Sequence, residues 1–469
     1  MKKIYLFITT FLFCQIIYTQ HIAEGGGFSL SICDDGNVIS WGHNNLGQLG
    51  NNTTGDDEFL PVSVYGLNNV KKLAAGNTTS LALKNDGTVW SWGENNAGAC
   101  GDNTTVNRFA PVQVVGPDGV GYLTDIIDVA AGAQTGYALR DDGTVWAWGS
   151  TIKGALGNNE NSGFILSPAQ VHGQNNIGFL SDVIQIEANT YSAYALKSDG
   201  TVWSWGDNAY ENLGDGTDTD RFTPVQVFGL TDVVRIAAGT YCAFAIKSDG
   251  TVWAWGGNDY GKLGNGSADM LFPFPEPMVG IDNAIGVAAG QHFTMILKSD
   301  YTVWTCGNNT DGQLGDGTVE NKSVCIATVG VSNIKEIAAG GKTALVMDNE
   351  GNIYTWGDNY SGQLGDGSTT DRWTIGAVEA ACSGLLGVNE TITISQNLLV
   401  YPNPADNDIT IQTAQPTNNK IQVFNAHGVL VKTLIVNNTI SKIDITDLPA
   451  GIYIMHANDN LNAIKIIVQ

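Results

Sequence analysis

The chain has 469 residues and carries 22 basic against 46 acidic side chains, a formal net charge of −24. Such a surface repels phosphate backbones and anionic headgroups, which argues against a nucleic-acid partner or adsorption to an acidic membrane. With 43% apolar residues and 12 Trp a large core can form, which excludes disorder, while 58 glycines and only 14% charged residues point to a turn-rich all-β protein.

Lys2 and Lys3 precede an apolar run from Ile4 to Tyr18. This has the charge and length of a secretory leader rather than of a membrane span of ~20 residues, so residues 1–19 are expected to be removed near Thr19 or Gln20. No other run approaches membrane length, and no integral membrane segment is expected in the mature chain. Removing Cys14 leaves an even number of cysteines in a compartment that permits disulfides.

From residue 20 to 384 the chain repeats itself. The core Thr88-Val89-Trp90-Ser91-Trp92-Gly93 recurs at 144–149, 201–206 and 251–256, with weaker copies ending at Gly42, Gly307 and Gly357. Seven copies at a mean period of about 52 residues, each holding short β-rich runs, predict the blades of a seven-bladed β-propeller. Asp86-Gly87, Asp142-Gly143, Asp199-Gly200 and Asp249-Gly250 mark hairpins between strands B and C. Strand A runs through the AAG element and strand D through the PVxV element, giving four strands per blade. The last D-type strand, around Trp373 to Val378, is expected to complete the first blade and hide two open sheet edges.

The elements AAG, DGTVWAWG, NxxGQLGDG and PVQV, in seven copies over residues 20–384, resemble the repeats of the regulator of chromosome condensation family. The resemblance implies a seven-bladed propeller. The exchange activity of the family's eukaryotic founder on a nuclear GTPase is kept only as a remote alternative. This chain is acidic and reads as exported, and it has Thr79, Thr135, Ser192, Cys242, Phe293 and Thr343 where the family often has histidine.

Residues 385–394 read as a linker. Residues 395–469 contain, in order, Tyr401-Pro402-Asn403-Pro404-Ala405, Ile421-Gln422-Val423-Phe424 before a turn at Asn425 to Gly428, Ile443-Asp444-Ile445, Leu448 to Tyr453 and Lys465 to Gln469. This series resembles the C-terminal sorting domain of the type IX secretion system of Bacteroidetes. It implies a small β-sandwich that routes the chain across the outer membrane, after which the cargo is released or attached to the cell surface.

An enzyme needs a convergent nucleophile, base and oxyanion donors, or a metal cluster. The chain has no GxSxG, HExxH, GxxxxGK[ST] or CxxC, and His21, His43, His172, His292, His427 and His456 are scattered, so no catalytic residue is assigned. Asp215, Asp218, Asp220, Asp366 and Asp371 are candidate calcium ligands. Their recurrence in a GDG turn favours a structural role, and no cofactor or metal is expected. The Trp pairs, such as Trp90/Trp92 and Trp203/Trp205, are read as core between blades, and Cys306 as a smaller core residue replacing one of them. Cys33, at a B–C hairpin, and Cys382, after the closing strand, share one rim of blade 1 and are a candidate disulfide that locks the ring.

Positions that vary between blades are free to serve binding. The second residue after the AAG glycine, in the A–B loop, is Gly27, Thr78, Gln134, Tyr191, Tyr241, His292 and Lys342 in blades 1 to 7. Tyr191, Tyr241 and His292 thus line up with Lys342 beside them, and clustered amphipathic aromatics are what interface hot spots favour. The C–D loop carries a polar pair before an aromatic: Asp57-Glu58, Asn107-Arg108, Asp220-Arg221, Asn321-Lys322 and Asp371-Arg372. Blade 5 has Met270-Leu271 instead, with Phe272 aligned to Phe59, Phe109 and Phe222 as core. Met270 and Leu271 are then a candidate apolar patch. The expected function is a monomeric, secreted or surface-attached binding propeller for an extracellular protein or glycan. The alternative is a carbohydrate-binding or carbohydrate-active surface protein.

Overall fold

The computed structural model describes residues 20–378 and 382, and beyond them 398–401, 408–413, 419–425, 430–436, 440–446, 448–449, 451–457 and 463–468. The expected leader, the linker at 385–394 and the segment 402–405 lie outside the described residues. Two compact units are formed, Met1–Leu385 and Leu386–Gln469.

The first unit is a ring of seven antiparallel sheets, each of four strands in chain order. Blade 2 is typical, with Val70–Ala75, Thr79–Lys84, Val89–Gly93 and Arg108–Gln113 as strands A to D. The B–C hairpin follows from its Asp-Gly pair. Asp86 Oδ1 accepts from both the backbone N–H and the hydroxyl of Thr88, and Gly87 takes φ 79°, a left-handed value at which a Cβ is strained. Asp142/Thr144, Asp199/Thr201 and Asp249/Thr251 repeat the arrangement.

Ring closure differs from the expectation. Arg372–Ala377 pairs with Ile353–Gly357 inside blade 7, and blade 1 has its own strand D, Glu58–Ser63. The C–D loop is a short connection in every repeat, so pairing within a repeat closes a far smaller loop than pairing across the ring. The outer strand edges stay unpaired, and Pro61, Pro111, Pro224 and Pro275 sit in strand D, where a missing N–H blunts an edge.

Blades are joined by side chains. The Trp before the glycine that ends strand C is fully buried and donates its indole N–H to a carbonyl of the preceding blade: Trp92 to Gln48, Trp356 to Gln313 and, across the seam, Trp41 to Gln363, at 2.8 to 2.9 Å. The first Trp of a pair is only half-buried and is lidded by a cation, as with Arg140 over Trp146 and Lys247 over Trp253, each 5.0 Å from the ring centroid. At the seam Ile22, Ile39, Trp41, Leu345, Met347 and Ile353 share a core. A disulfide there joins Cys33 to Cys382 with Cα atoms 5.1 Å apart. In blade 6 Cys306 is buried as expected but is also bridged to Cys325. Cys100 and Cys242 are buried thiols.

The A strands surround a channel with a cavity of about 1000 Å³. One position in strand A reaches from blade to blade. Lys72 pairs with Asp128, and Asp128 accepts the N–H of Ile186. Gln185 both donates to and accepts from the backbone of Ile236, and Arg235 donates to the carbonyl of Ile285. Blade 6 has Gly286 at this position, and Glu336 of blade 7 accepts the N–H of His21 across the seam. Nearby, Glu24 occupies a site filled by Ala75 and Ala131 in the next blades. It is buried, and burial, opposed by the Ser29 hydroxyl, raises its pKa well above the usual carboxylate range.

The C-terminal unit contains two small antiparallel sheets. One joins Leu398–Tyr401, Asp408–Thr413 and Ile440–Asp444; the other is ordered Leu430–Val436, Asn419–Asn425, Gly451–Ala457, Ala463–Val468. Ile409, Val423, Ile445 and Met455 are buried in it.

Candidate binding face

The A–B and C–D loops emerge at one end of the ring, and in blades 3, 5, 6 and 7 the A–B loop rests on the C–D loop of the blade before it. Gln134 donates to Asn96, Lys342 pairs with Asp311 at 3.1 Å, and the aromatic members follow the same rule. Tyr241 stacks on Tyr210, with ring centroids 4.1 Å apart and planes at 20°. His292 meets Tyr260 edge to face at 5.3 Å. The three aromatics singled out in the A–B loops therefore lie in a row of five: Tyr191, Tyr210, Tyr241, Tyr260 and His292. Burial, then Tyr210, Asp207 and Tyr191, pushes the Tyr241 hydroxyl above its ordinary pKa and keeps it neutral.

Two of these residues hold unusual backbone. Tyr241 has φ 58° and Tyr260 φ 60°, the left-handed region that a bulky residue enters at roughly 1–2 kcal/mol. Beneath them Lys262 is 0% exposed. Its ammonium donates to the carbonyls of Thr240 (2.8 Å) and Gln291 (3.3 Å) and lies 3.6 Å from Asp259, so it ties the A–B loops of blades 5 and 6 together. His292 Nδ1 is buried without a hydrogen-bond partner, 4.0 Å from Asp259. Burial, then Lys262, lowers its pKa, with Asp259 opposing.

Met270 is 54% and Leu271 41% exposed. Leu271 pairs with Gly257, whose N–H donates to Tyr241 at 2.8 Å, so the apolar pair adjoins the Tyr210/Tyr241 stack. The register of this strand differs by one from the alignment above. Phe272 stands opposite Gly256, where Arg108 faces Gly93 and Arg221 faces Gly206. The blade 5 loop is one residue longer than those of blades 2 and 4, so Leu271-Phe272 fills the place of the polar pair and Phe272 is buried in the core. In other blades a side chain from that pair caps the C–D loop, as when Asp220 accepts the N–H of Asn208. Here the Met270 carbonyl accepts from Asn258 at 2.7 Å and leaves the Met270 side chain free of that task.

The candidate calcium ligands are committed to the loops themselves. Asp215 accepts from Asn208, Thr217 and Arg221, and Asp366 from Asn359, Ser368 and Arg372. Asp220 and Asp371 cap Asn208 and Asn359, and Asp218 is exposed on its loop.

Tyr210, Tyr260 and Lys262 escape a reading that aligns only A–B loops. The third residue of the NxxG loop runs Leu46, Ala97, Lys153, Tyr210, Tyr260, Asp311 and Ser361, and comparing those positions places aromatics in blades 4 and 5.

Residues 10–233 match the RCC1-like domain, and residues 249–297 and 301–347 match the regulator of chromosome condensation (RCC1) repeat. A second description of that repeat covers 233–262, 284–313 and 334–363. The propeller is built of regulator of chromosome condensation repeats. Residues 399–469 match the secretion system C-terminal sorting domain, so this RCC1-like propeller is joined to a type IX export signal. The chain is 29% identical to the mouse E3 ubiquitin-protein ligase HERC2 over 311 residues, which is 65% of this chain and 5% of that protein. It is 30% identical to the ultraviolet-B receptor UVR8 of Arabidopsis thaliana over 213 residues, 45% of this chain and 46% of the receptor. The chain thus spans a small fraction of the first and about half of the second. Two solved structures are similar in fold. Human WBSCR16 has TM-score 0.65 and 20% identity, covering 73% of this chain and 94% of that one. Yeast RCC1 (Prp20) bound to Kap60 has TM-score 0.63 and 20% identity, covering 82% and 88%. Among the described residues no helix is long and apolar enough to cross a membrane.

Proposed function

We propose that this RCC1-like propeller is an exported binding module that captures an extracellular protein on the loop face of blades 4 to 6. The observation that carries the reading is the paired aromatic row. Two large rings are held in left-handed backbone, Tyr260 at a loop position where blade 3 places Lys153 in the same conformation, and Tyr260 remains 50% exposed beside exposed Met270 and Leu271. Strain maintained at an exposed site is a mark of use, and rigid Tyr side chains give contact area with little ordering entropy. Acting by binding rather than catalysis is part of the proposal, as is delivery to the medium or cell surface by the C-terminal unit.

The test is affinity capture by the full chain from the cells' own surface material and growth medium. The wild type is compared with a Tyr191→Ala, Tyr241→Ala, His292→Ala variant. Loss of a retained protein with the melting temperature held supports the reading. Retention of a polysaccharide instead, or release of reducing sugar from it, overturns it in favour of glycan handling.

A further inference from the structure

The aromatic row continues into blades 6 and 7, where the chemistry of the face changes. In blade 4, Asp207 follows the glycine that ends strand C, and Asp220 caps the next Asn. The preceding blade supplies Lys153, whose ammonium lies 3.4 Å from Asp207 and 3.0 Å from Asp220. Blade 7 repeats this pair as Asp358 and Asp371, with Asp371 capping Asn359 at 2.9 Å. The residue that blade 6 supplies in the place of Lys153 is Asp311, so a third carboxylate stands where the fold elsewhere puts a cation. Carboxylate oxygens of the three lie within 4.8 Å of one another. Among the described residues one cation answers them, Lys342, which reaches Asp311 from the side at 3.1 Å, while Gln363 donates to Asp358 at 2.8 Å. Tyr360, 83% exposed, donates its backbone N–H to Asp358 and so adjoins this acidic end.

We infer that the captured partner is a protein segment carrying a basic residue, Arg or Lys, next to apolar or aromatic ones, so that its apolar part lies on the tyrosine row and its cation faces Asp358 and Asp371. This rests on the binding reading above. Charge complementarity selects the occupant. The chain is at −24 overall, the row ends in unbalanced carboxylates, and the same pair three boundaries away is completed by a lysine of this very chain. A guanidinium beside Tyr360 would gain a cation–π contact as well.

The test uses the full chain and three synthetic peptides of one apolar and aromatic pattern, differing only in bearing Arg, Gln or Glu at the charged positions. Affinities are read by fluorescence anisotropy at low and high salt. The Arg peptide is expected to bind about tenfold more tightly than the Gln peptide, an advantage that salt erases. Asp311→Lys copies the blade 4 arrangement and should abolish that advantage while leaving the Gln peptide unaffected. Tyr241→Ala with Tyr260→Ala should weaken Arg and Gln peptides alike. Equal binding of the two peptides by the wild type, lost on tyrosine substitution, would overturn this inference and leave the binding reading standing. Arg-peptide binding that survives the tyrosine substitutions would instead overturn the binding reading. If calcium competes with the Arg peptide and chelation reverses it, the acidic end is a metal site and the inference falls.

Discussion

Because no strand crosses between blades 7 and 1, the Cys33–Cys382 bridge is the only covalent closure of the ring among the described residues, and replacing both cysteines by Ser tests how much it contributes. The bridge spans 349 residues, against 19 for Cys306–Cys325. In the chain-entropy account, cross-linking removes unfolded-state freedom by an amount that grows with the logarithm of the loop, giving ~6 kcal/mol for the seam bridge and ~3 kcal/mol for the one in blade 6. Unfolding entropy near 2.1 cal/mol/K per residue over about 360 propeller residues converts these to falls in melting temperature of roughly 8 °C and 4 °C. Scanning calorimetry of the full chain measures both, with thiol titration confirming that each variant lacks its bridge. Hydrogen exchange should show blades 1 and 7 opening first in the seam variant. A seam variant that melts within about 2 °C of wild type, or that loses less than the blade 6 variant, would refute the reasoning.

Three further outcomes are expected. Tyr241→Gly and Tyr260→Gly each lose ring contacts but relieve a left-handed backbone, so each should change stability by less than about 1 kcal/mol in chemical denaturation while weakening capture. Glu24 has a folded pKa raised by burial, so its contribution is fully present below the unfolded carboxylate value and is lost as pH rises through the folded one. The denaturation midpoint of Glu24→Gln should therefore gain on wild type as pH rises from about 5 to 9, and parallel profiles would disprove the assignment. His292 behaves oppositely. Its folded pKa is lowered by burial and by Lys262, so stability is lost as pH falls below the ordinary imidazole value of 6.5, and His292→Phe should flatten the profile there.

The fold was legible wherever turn chemistry and period agree. Asp86-Gly87 and its copies place the B–C hairpins, and the four Trp-x-Trp-Gly cores with the weaker copies ending at Gly42, Gly307 and Gly357 count the blades. What stayed hidden depended on contacts between repeats or on spacing within one. Arg372–Ala377 belongs to blade 7 because the Pro61 to Val64 element already supplies strand D of blade 1, which the expected closure across the seam passed over. Phe272 was displaced by one because the loop before it is longer, and a one-residue slip in a strand exchanges faces. The site was half visible. Tyr191, Tyr241 and His292 stand out as departures at one repeat position, whereas Tyr210 and Tyr260 belong to another. Lys262 becomes notable only once the ring has buried it.

The strand A side chains that reach forward around the channel give the ring a sense of direction. Lys72 meets an acid, Asp128 meets an N–H, Arg235 meets a carbonyl, and Glu336 meets the first blade. Of these clasps Lys72–Asp128 depends on the side chain of its neighbour, whereas the others within the ring take backbone groups that blades of nearly the same backbone all offer. Exchanging blades 3 and 5 would set Arg235 against Lys72 and break the one clasp that fixes a neighbour. A circular permutant opened between any two blades keeps every clasp intact, provided its old ends are joined. The order of repeats is in this sense written into the wall of the channel, separately from the outer loops that meet a partner, and the two can change independently.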